Sequence, residues 1–201
     1  ASSRARERAT WAVALAAIAP IAFWAGHRGS SDHNRQAVRF NVSPPSGVAV
    51  TSPSSARFSP DGSTLVFSGV DSGRRLWIRP LEALEARAIP GTEGAQYPFW
   101  SPDGGMIGFF SNGKLKKVSA GGGPVQVLCD APNPRGGSWN HQGVILFAPS
   151  GDGPLLCVSA NGGAPTPLGA LDRLAPERGP RWPFFLPGGR PFLGWLKDEF
   201  D

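Results

Sequence analysis

The chain has 201 residues, 40% of them hydrophobic, with 27 glycines and 21 prolines. Its seven tryptophans and twelve phenylalanines provide enough apolar surface to exclude a disordered chain, in spite of this turn-rich composition. The net charge is +5, but four arginines and one glutamate within residues 1–28 account for +3 of it, so the remainder offers no basic face for nucleic acid.

The N-terminal region reads as a membrane anchor. Residues 10–26 carry no charge, and 17 helical residues extend about 25 Å, close to the thickness of a bilayer core. Because Arg4, Arg6 and Arg8 precede this segment, the positive-inside rule places residues 1–9 in the cytoplasm and the chain after the polar linker 27–37 in the periplasm. A cleaved signal peptide and a buried helix are the alternatives.

From residue 38 onward the chain repeats itself. Four turn segments align, and their closing glycines are Gly62, Gly104, Gly143 and Gly189. The intervals of 42, 39 and 46 residues match the length of a four-stranded propeller blade. We therefore predict blades at about 56–95, 97–135, 136–179 and 180–201, of which the last is incomplete.

Each repeat has the same order of features. An aromatic residue precedes a turn of the Ser-Pro-Asp-Gly type, in which proline presets φ, aspartate bonds the backbone two residues on, and glycine accepts positive φ. An apolar strand follows, then an alternating strand and a short outer strand. The apolar strands are predicted at 65–67, 106–110, 144–147 and 192–195, the alternating strands at 76–78, 115–118 and 155–158, and an outer strand at 124–128.

The predicted fold class is therefore all-β: a partial β-propeller of four-stranded antiparallel blades, three complete and a fourth begun, preceded by a single N-terminal transmembrane helix. Two turns depart from the pattern. The segment 140–143 reads Asn-His-Gln-Gly, and 186–189 reads Leu-Pro-Gly-Gly.

The turns at 59–62 and 101–104, each followed by an apolar strand, resemble the TolB-type, WD-repeat-like propeller blades of bacterial envelope proteins. The order of arginines, single span, VRFNVSPPSG and repeated blades resembles the C-terminal half of bacterial receptor-type serine/threonine kinases. That resemblance implies a cytoplasmic kinase domain upstream of Ala1.

The residues contain no nucleophile elbow, zinc-protease, phosphate-loop or kinase catalytic motif, so we predict no catalytic, metal-binding or cofactor-binding residues. Asp61 and Asp103 are interpreted as turn residues rather than paired catalytic carboxylates. The glycines at 121–123 are interpreted as a turn, and the lysines at 114, 116 and 117 as a solvated sheet edge. Cys129 and Cys157 are expected to be separate half-buried thiols, and His27 and His33 to be solvated.

We expect a non-catalytic module that binds a protein or a small molecule on the loop face of the propeller. The preferred setting is the extracytoplasmic sensor of a membrane-anchored receptor kinase. The alternatives are the propeller of a membrane-anchored serine peptidase with its hydrolase domain downstream, and a TolB-like envelope scaffold.

Overall fold

A computed structural model describes residues 43–50, 55–168, 180–186 and 192–196. The regular elements within these residues are strands, so the predicted all-β class is confirmed there. The predicted membrane helix at 10–26 and the linker at 27–37 lie outside the described residues. In the part of the chain that is described, no helix has the length and hydropathy needed to cross a bilayer.

The strands form four antiparallel sheets in chain order, here called blades 1 to 4. Blade 1 contains β1 (Ala49–Val50), β2 (Ala56–Phe58), β3 (Thr64–Val70), β4 (Arg74–Pro80) and β5 (Arg87–Ala88). Blade 2 contains β6 (Gln96–Trp100), β7 (Met106–Ser111), β8 (Lys114–Ser119) and β9 (Gln126–Asp130). Blade 3 contains β10 (Gly137–Trp139), β11 (Val144–Phe147), β12 (Leu156–Ser159) and β13 (Thr166–Pro167). Blade 4 contains β14 (Pro180–Phe185) and β15 (Phe192–Leu196).

The four apolar runs predicted from the sequence lie in β3, β7, β11 and β15, the second main strand of each blade. The outer strand β9 begins two residues later than the predicted run at 124–128. Blade 1 differs from the prediction of four strands, since β1 and β2 both pair with β3. Val50 lies opposite Gly69 and Ala56 lies opposite Phe67, so the innermost strand of this blade is in two pieces.

Alternation along the second strands builds the core between blades. In β7, Ile107 and Phe109 pack against blade 1, whereas Phe110 packs against blade 3. In β11, Phe147 packs against blade 2 and Leu146 faces the blade 4 side, in a cluster that Phe185 joins. The period of two therefore covers both faces of each middle sheet, which explains why these runs are apolar throughout.

Hydrogen bonds hold the crossing from blade 1 to blade 2. Buried Thr92 accepts a bond from the Leu76 amide at 3.0 Å and donates to the Ile89 carbonyl at 2.6 Å. The Ser68 hydroxyl donates to the Ala95 carbonyl at 2.7 Å. These bonds satisfy buried backbone groups in the connection and so fix where β6 begins beside blade 1.

Candidate binding site

The innermost strands of the blades, which include β2, β6, β10 and β14, each form an edge of their sheet. Two of these edges are interrupted by a bulge. The register of β6 against β7 shifts between Gln96 and Phe99, and that of β14 against β15 shifts between Arg181 and Phe184. Both bulges contain a proline, which has no N–H to donate and is tolerated at such positions.

Equivalent residues in blades 2, 3 and 4 have a left-handed conformation. Tyr97, Gly136 and Trp182 each lie seven positions before the closing glycine of their turn, and their φ angles are 52°, 87° and 54°. Bulky residues rarely adopt this conformation, which costs about 1–2 kcal/mol per residue. The strain is greater because Tyr97 and Trp182 both precede proline, which favours extended backbone in the residue before it. Such strain is concentrated at functional sites in proteins.

The two strained aromatic residues contact each other, and Trp182 also contacts the start of blade 3. The rings of Tyr97 and Trp182 pack edge to face, with centroids 4.8 Å apart and planes at 85°. Between them in sequence, Gly136 leaves room for this contact, because a Cβ there would lie 2.7 Å from the Trp182 ring. The Trp182 amide also donates to the Arg135 carbonyl at 2.8 Å. Blades 2, 3 and 4 are thus joined at their inner edges.

A cavity of about 340 Å³ opens among these inner strands. Trp100 forms part of its wall and is fixed by a bond from its indole N–H to the Arg57 carbonyl, at 3.0 Å. Eight of the lining residues are aromatic and four are proline. The aromatic residues are Phe58, Tyr97, Phe99, Trp100, Trp139, Trp182, Phe184 and Phe185, and the prolines are Pro60, Pro98, Pro102 and Pro183. The cavity is at the small end of ligand pockets, which range over about 300–1,000 Å³.

The charge of the cavity wall has one sign. Among the described residues that line it, Arg57 is the one charged side chain, and no carboxylate is present. Burial lowers the pKa of Arg57, and its Nη1 donates to the Ala56 carbonyl at 2.8 Å. An arginine stays protonated at neutral pH in spite of such a shift.

A second cavity, of about 380 Å³, lies between blades 1 and 2 where their turns meet. Asp61, Asp103 and Arg87 line it, so it has charged groups. Those groups are engaged within the protein: Arg87 donates to the Ala120 carbonyl at 2.8 Å, and the carboxylates bond their own turns. We therefore take the aromatic cavity as the candidate site.

The predicted turn role of the two aspartates is confirmed. Asp61 accepts bonds from the Ser59 hydroxyl at 2.5 Å and the Ser63 amide at 3.1 Å. Asp103 accepts bonds from the Ser101 hydroxyl at 2.5 Å and the Gly105 amide at 3.0 Å. The serine hydroxyl bond, followed by those of Ser63, lowers the pKa of Asp61 to about 2. The bond from Ser101 likewise lowers the pKa of Asp103.

In blade 3 an asparagine occupies the position of the turn serine and bonds two backbone amides. The Asn140 side-chain oxygen accepts bonds from the Gln142 amide at 3.1 Å and the Val144 amide at 3.0 Å. The Val144 amide corresponds to the Met106 amide, from which the Ser101 hydroxyl accepts a bond in blade 2. The departure of segment 140–143 from the turn pattern therefore leaves this bond to the start of the second strand intact.

The prediction that the lysines mark a sheet edge is wrong. Their strand β8 pairs with β7 on one side and β9 on the other, so it lies inside the blade. Lys114 lies opposite Asp130 and forms an ion pair with it. The glycines at 121–123 do form a turn, in which the Gly122 amide donates to the Ser119 carbonyl.

Cys129 and Cys157 are free and half-buried, as predicted. Burial raises the pKa of both thiols, that of Cys129 to about 11, so neither is a ready nucleophile at neutral pH. In the described part of the chain, no three His, Cys, Asp or Glu residues lie together as a metal site requires. His27 and His33 lie outside the described residues.

The sequence interpretation did not identify the aromatic cavity. A signal for it exists: Tyr97-Pro98-Phe99-Trp100 recurs as Trp182-Pro183-Phe184-Phe185 at the same distance from the closing glycine. Aromatic–proline pairs inside a strand indicate a bulge on an edge strand. Their meeting across blade 3 depends on the stacking of blades and could not be seen in one repeat.

Comparison with known proteins identifies the fold. No protein-family model matches the chain, and no curated protein sequence matches it. Solved structures, in contrast, do match the chain. A protein assigned as TolB from Agrobacterium tumefaciens matches over 73% of this chain and 56% of its own, with 17% identity and a TM-score of 0.62. The β-propeller domain of Cps50 (Swd1) from Myceliophteria thermophila matches over 71% and 48%, with 15% identity and a TM-score of 0.55. A puromycin hydrolase matches over 70% and 24%, with 20% identity and a TM-score of 0.54.

At these identities the likeness shows the fold alone. The sheets are blades of the TolB-type and WD40-like propeller, as the repeat predicted. The chain spans about half the length of the first two of these structures. Activity and partners therefore remain matters for proposal.

Proposed function

We propose that this chain is a non-catalytic binding module whose ligand site is the aromatic cavity on the inner strands. The observation that carries the proposal is the pair of strained aromatic residues, Tyr97 and Trp182, which meet at this cavity. Backbone strain of this kind is concentrated at functional sites in proteins, and here both strained residues lie on the wall of the cavity. Their rings supply rigid apolar contact area, the usual basis of recognition.

The setting we propose is the extracytoplasmic sensor of a membrane-anchored receptor serine/threonine kinase. The supporting features are in the sequence: the arginines at 4, 6 and 8, and the uncharged segment 10–26. The order of arginines, uncharged segment and repeated blades also resembles that of bacterial receptor serine/threonine kinases. Any kinase activity would belong to residues outside these 201. Ligand binding outside the membrane would change the association of anchors and so the proximity of kinase domains inside.

The binding role is tested with a peptide library displayed on phage and the full chain held in detergent micelles. We expect enriched sequences whose binding is lost in Tyr97→Gly and Trp182→Gly and kept in Leu84→Ala, a control at a 93% exposed position. Glycine is chosen because it adopts positive φ without strain. Absence of enrichment, or enrichment that both glycine variants retain, would overturn the proposal.

A second candidate is an accessory domain of a hydrolase, favoured by the match to puromycin hydrolase, of which the chain covers 24%. The coding sequence on either side separates the two settings. A kinase catalytic loop encoded upstream of Ala1 supports the sensor, and a Gly-x-Ser-x-Gly elbow encoded downstream of Asp201 supports the hydrolase. A TolB-like scaffold predicts neither.

A further inference from the structure

Two arginine side chains converge beside the loop that joins β11 to β12. If Gly151 in this loop carried a Cβ, the three nearest atoms outside its chain neighbours would all belong to guanidinium groups. Nη2 and Cζ of Arg181 would lie 3.3 and 3.8 Å from that Cβ, and Nε of Arg135 would lie 3.7 Å from it. The nitrogens of the two arginines are therefore close enough for one small ligand to reach both.

Backbone hydrogen bonds hold the two arginines at this place. Arg135 belongs to the connection from β9 to β10, and its amide donates to the Ala148 carbonyl at 3.0 Å, close to the loop of Gly151. The Arg135 carbonyl accepts a bond at 2.8 Å from the amide of Trp182, the residue after Arg181 in β14. The connection into blade 3, a loop of blade 3 and the first strand of blade 4 are thus joined where both side chains begin.

Within the described residues, neither guanidinium forms an ion pair with a carboxylate. Arg181 is half-buried, and its Nε is buried without an acceptor. Arg135 donates through Nη1 to oxygens of its own loop, two backbone carbonyls and the Asn133 side chain, all of them neutral. Asp152 follows Gly151 and is exposed, but it is paired with neither arginine. Two positive charges therefore lie side by side, and an anion bound between them would relieve their repulsion.

The chemistry of the pair points to an oxyanion with two negative charges. The planar N–H donors of a guanidinium match two oxygens of a phosphate or a carboxylate at once, and the bonds are strengthened by charge. A carboxylate brings one charge and is matched by one arginine. A phosphate dianion brings two charges and has three oxygens to share between two guanidinium groups.

We infer that Arg135 and Arg181 form a binding site for a phosphate dianion, either inorganic phosphate or a phosphate monoester, beside Gly151. Gly151 has no positive φ, so its backbone conformation does not require glycine, whereas the missing Cβ leaves the position between the guanidinium groups open to a phosphate oxygen. This site is separate from the proposed ligand site in the aromatic cavity and does not depend on it.

The inference is tested by nuclear magnetic resonance on the full chain in detergent micelles, with isotopically labelled arginine. Four anions are titrated at constant, mildly alkaline pH and constant ionic strength: inorganic phosphate, methyl phosphate, dimethyl phosphate and acetate. We expect the Nε–H signals of Arg135 and Arg181 to shift and saturate. Phosphate and methyl phosphate, which are dianions at this pH, should bind at least tenfold more tightly than the two monoanions.

Variants locate the binding. Arg181→Gln removes one charge and Gly151→Ala fills the position between the side chains, so each should weaken phosphate binding at least tenfold, as followed on the Arg135 signal. The matched controls are Arg74→Gln, which removes the same charge at an exposed position, and Gly73→Ala, whose Cβ would meet no atom within 4 Å. Both controls should leave binding unchanged. Arg181→Lys keeps the charge without the planar donors, so it should also weaken binding, and circular dichroism verifies that each variant folds.

Signals that none of the four anions shifts would overturn the inference. Equal weakening by Arg181→Gln and Arg74→Gln would also overturn it, because binding would then follow net charge alone. Acetate that binds as tightly as phosphate would overturn the assignment to a dianion. Methyl phosphate that binds as tightly as phosphate identifies monoesters as ligands, and loss of binding on esterification identifies inorganic phosphate; each upholds the site. The peptide selection at the aromatic cavity is decided separately.

Discussion

At the scale of single residues, the interface between blades 2 and 3 depends on the missing side chain of Gly108. A Cβ at this position would lie 2.3 Å from the buried ring of Phe99. We expect Gly108→Ala to lower the free energy of unfolding by about 3 kcal/mol, because the ring cannot move without losing its contacts with blade 3. Urea denaturation measures this. Gly73→Ala is the matched control, since nothing lies within 4 Å of its Cβ, and equal losses in the two variants would contradict the argument.

The turn aspartate Asp61 gives stability a defined dependence on pH. Its pKa is about 2 in the folded chain, against an ordinary value near 3.8, so the folded state favours the ionised carboxylate. This contribution is complete above about pH 4 and is lost as the pH falls towards 2. The difference in melting temperature between the wild type and Asp61→Asn should therefore shrink over that interval. A difference that stayed constant down to pH 2 would be evidence against the turn role.

At the scale of strands and turns, Thr92 connects the outer strands of blade 1 with the entry to blade 2. It is fully buried and bonds the Leu76 amide and the Ile89 carbonyl. Thr92→Val keeps the shape but leaves both backbone groups unsatisfied, so we expect a loss of about 1–3 kcal/mol in the free energy of unfolding. Chemical denaturation measures it. Thr92→Ser, which keeps the hydroxyl, should recover most of this loss, and a valine variant as stable as the wild type would refute the assignment.

An element of this fold could be predicted from the sequence where the interactions that form it act between residues close together in the chain. The second strands and the turns at Asp61 and Asp103 could be predicted, because alternation and turn chemistry act within a few residues. The two-piece inner strand of blade 1 could not, because β1 and β2 are defined by which part of β3 they pair with. The position of the β8 lysines inside the blade could not be predicted either, because it depends on the pairing of β9 with β8 across a glycine turn.

The candidate site was less predictable than the fold. Its aromatic residues are spread over four repeats, and each alone reads as an ordinary strand residue. The positive φ of Tyr97 and Trp182 goes against their own preference and against that of a residue before proline. Tertiary contact fixes this conformation, since the two rings meet only when three blades are stacked.

At the scale of the whole molecule, each blade contacts its sequence neighbours and buries one face against each. Aromatic residues of blades 1 and 4 are accordingly more exposed than the equivalent residues of blade 2. Phe58 and Phe184 are 51% and 61% exposed, whereas their equivalents in blade 2, Trp100 and Phe99, are 9% and 6% exposed. Because stability in such arrays is close to a sum of blade and interface contributions, the described blades need not open together.

The contact of blade 4 with blade 3 should therefore be open to separate disruption. It has two described strands, β14 and β15, and Phe185 joins it to the core of blade 3. Truncation by Phe185→Ala removes that contact, so we expect amide hydrogen exchange in β14 and β15 to accelerate about tenfold, with little change in β7, which is covered on both faces. Hydrogen exchange followed by mass spectrometry distinguishes these strands. If the variant accelerated exchange equally in β7 and β15, the array would unfold as one cooperative unit, and the stacking of blades would contribute to stability globally rather than interface by interface.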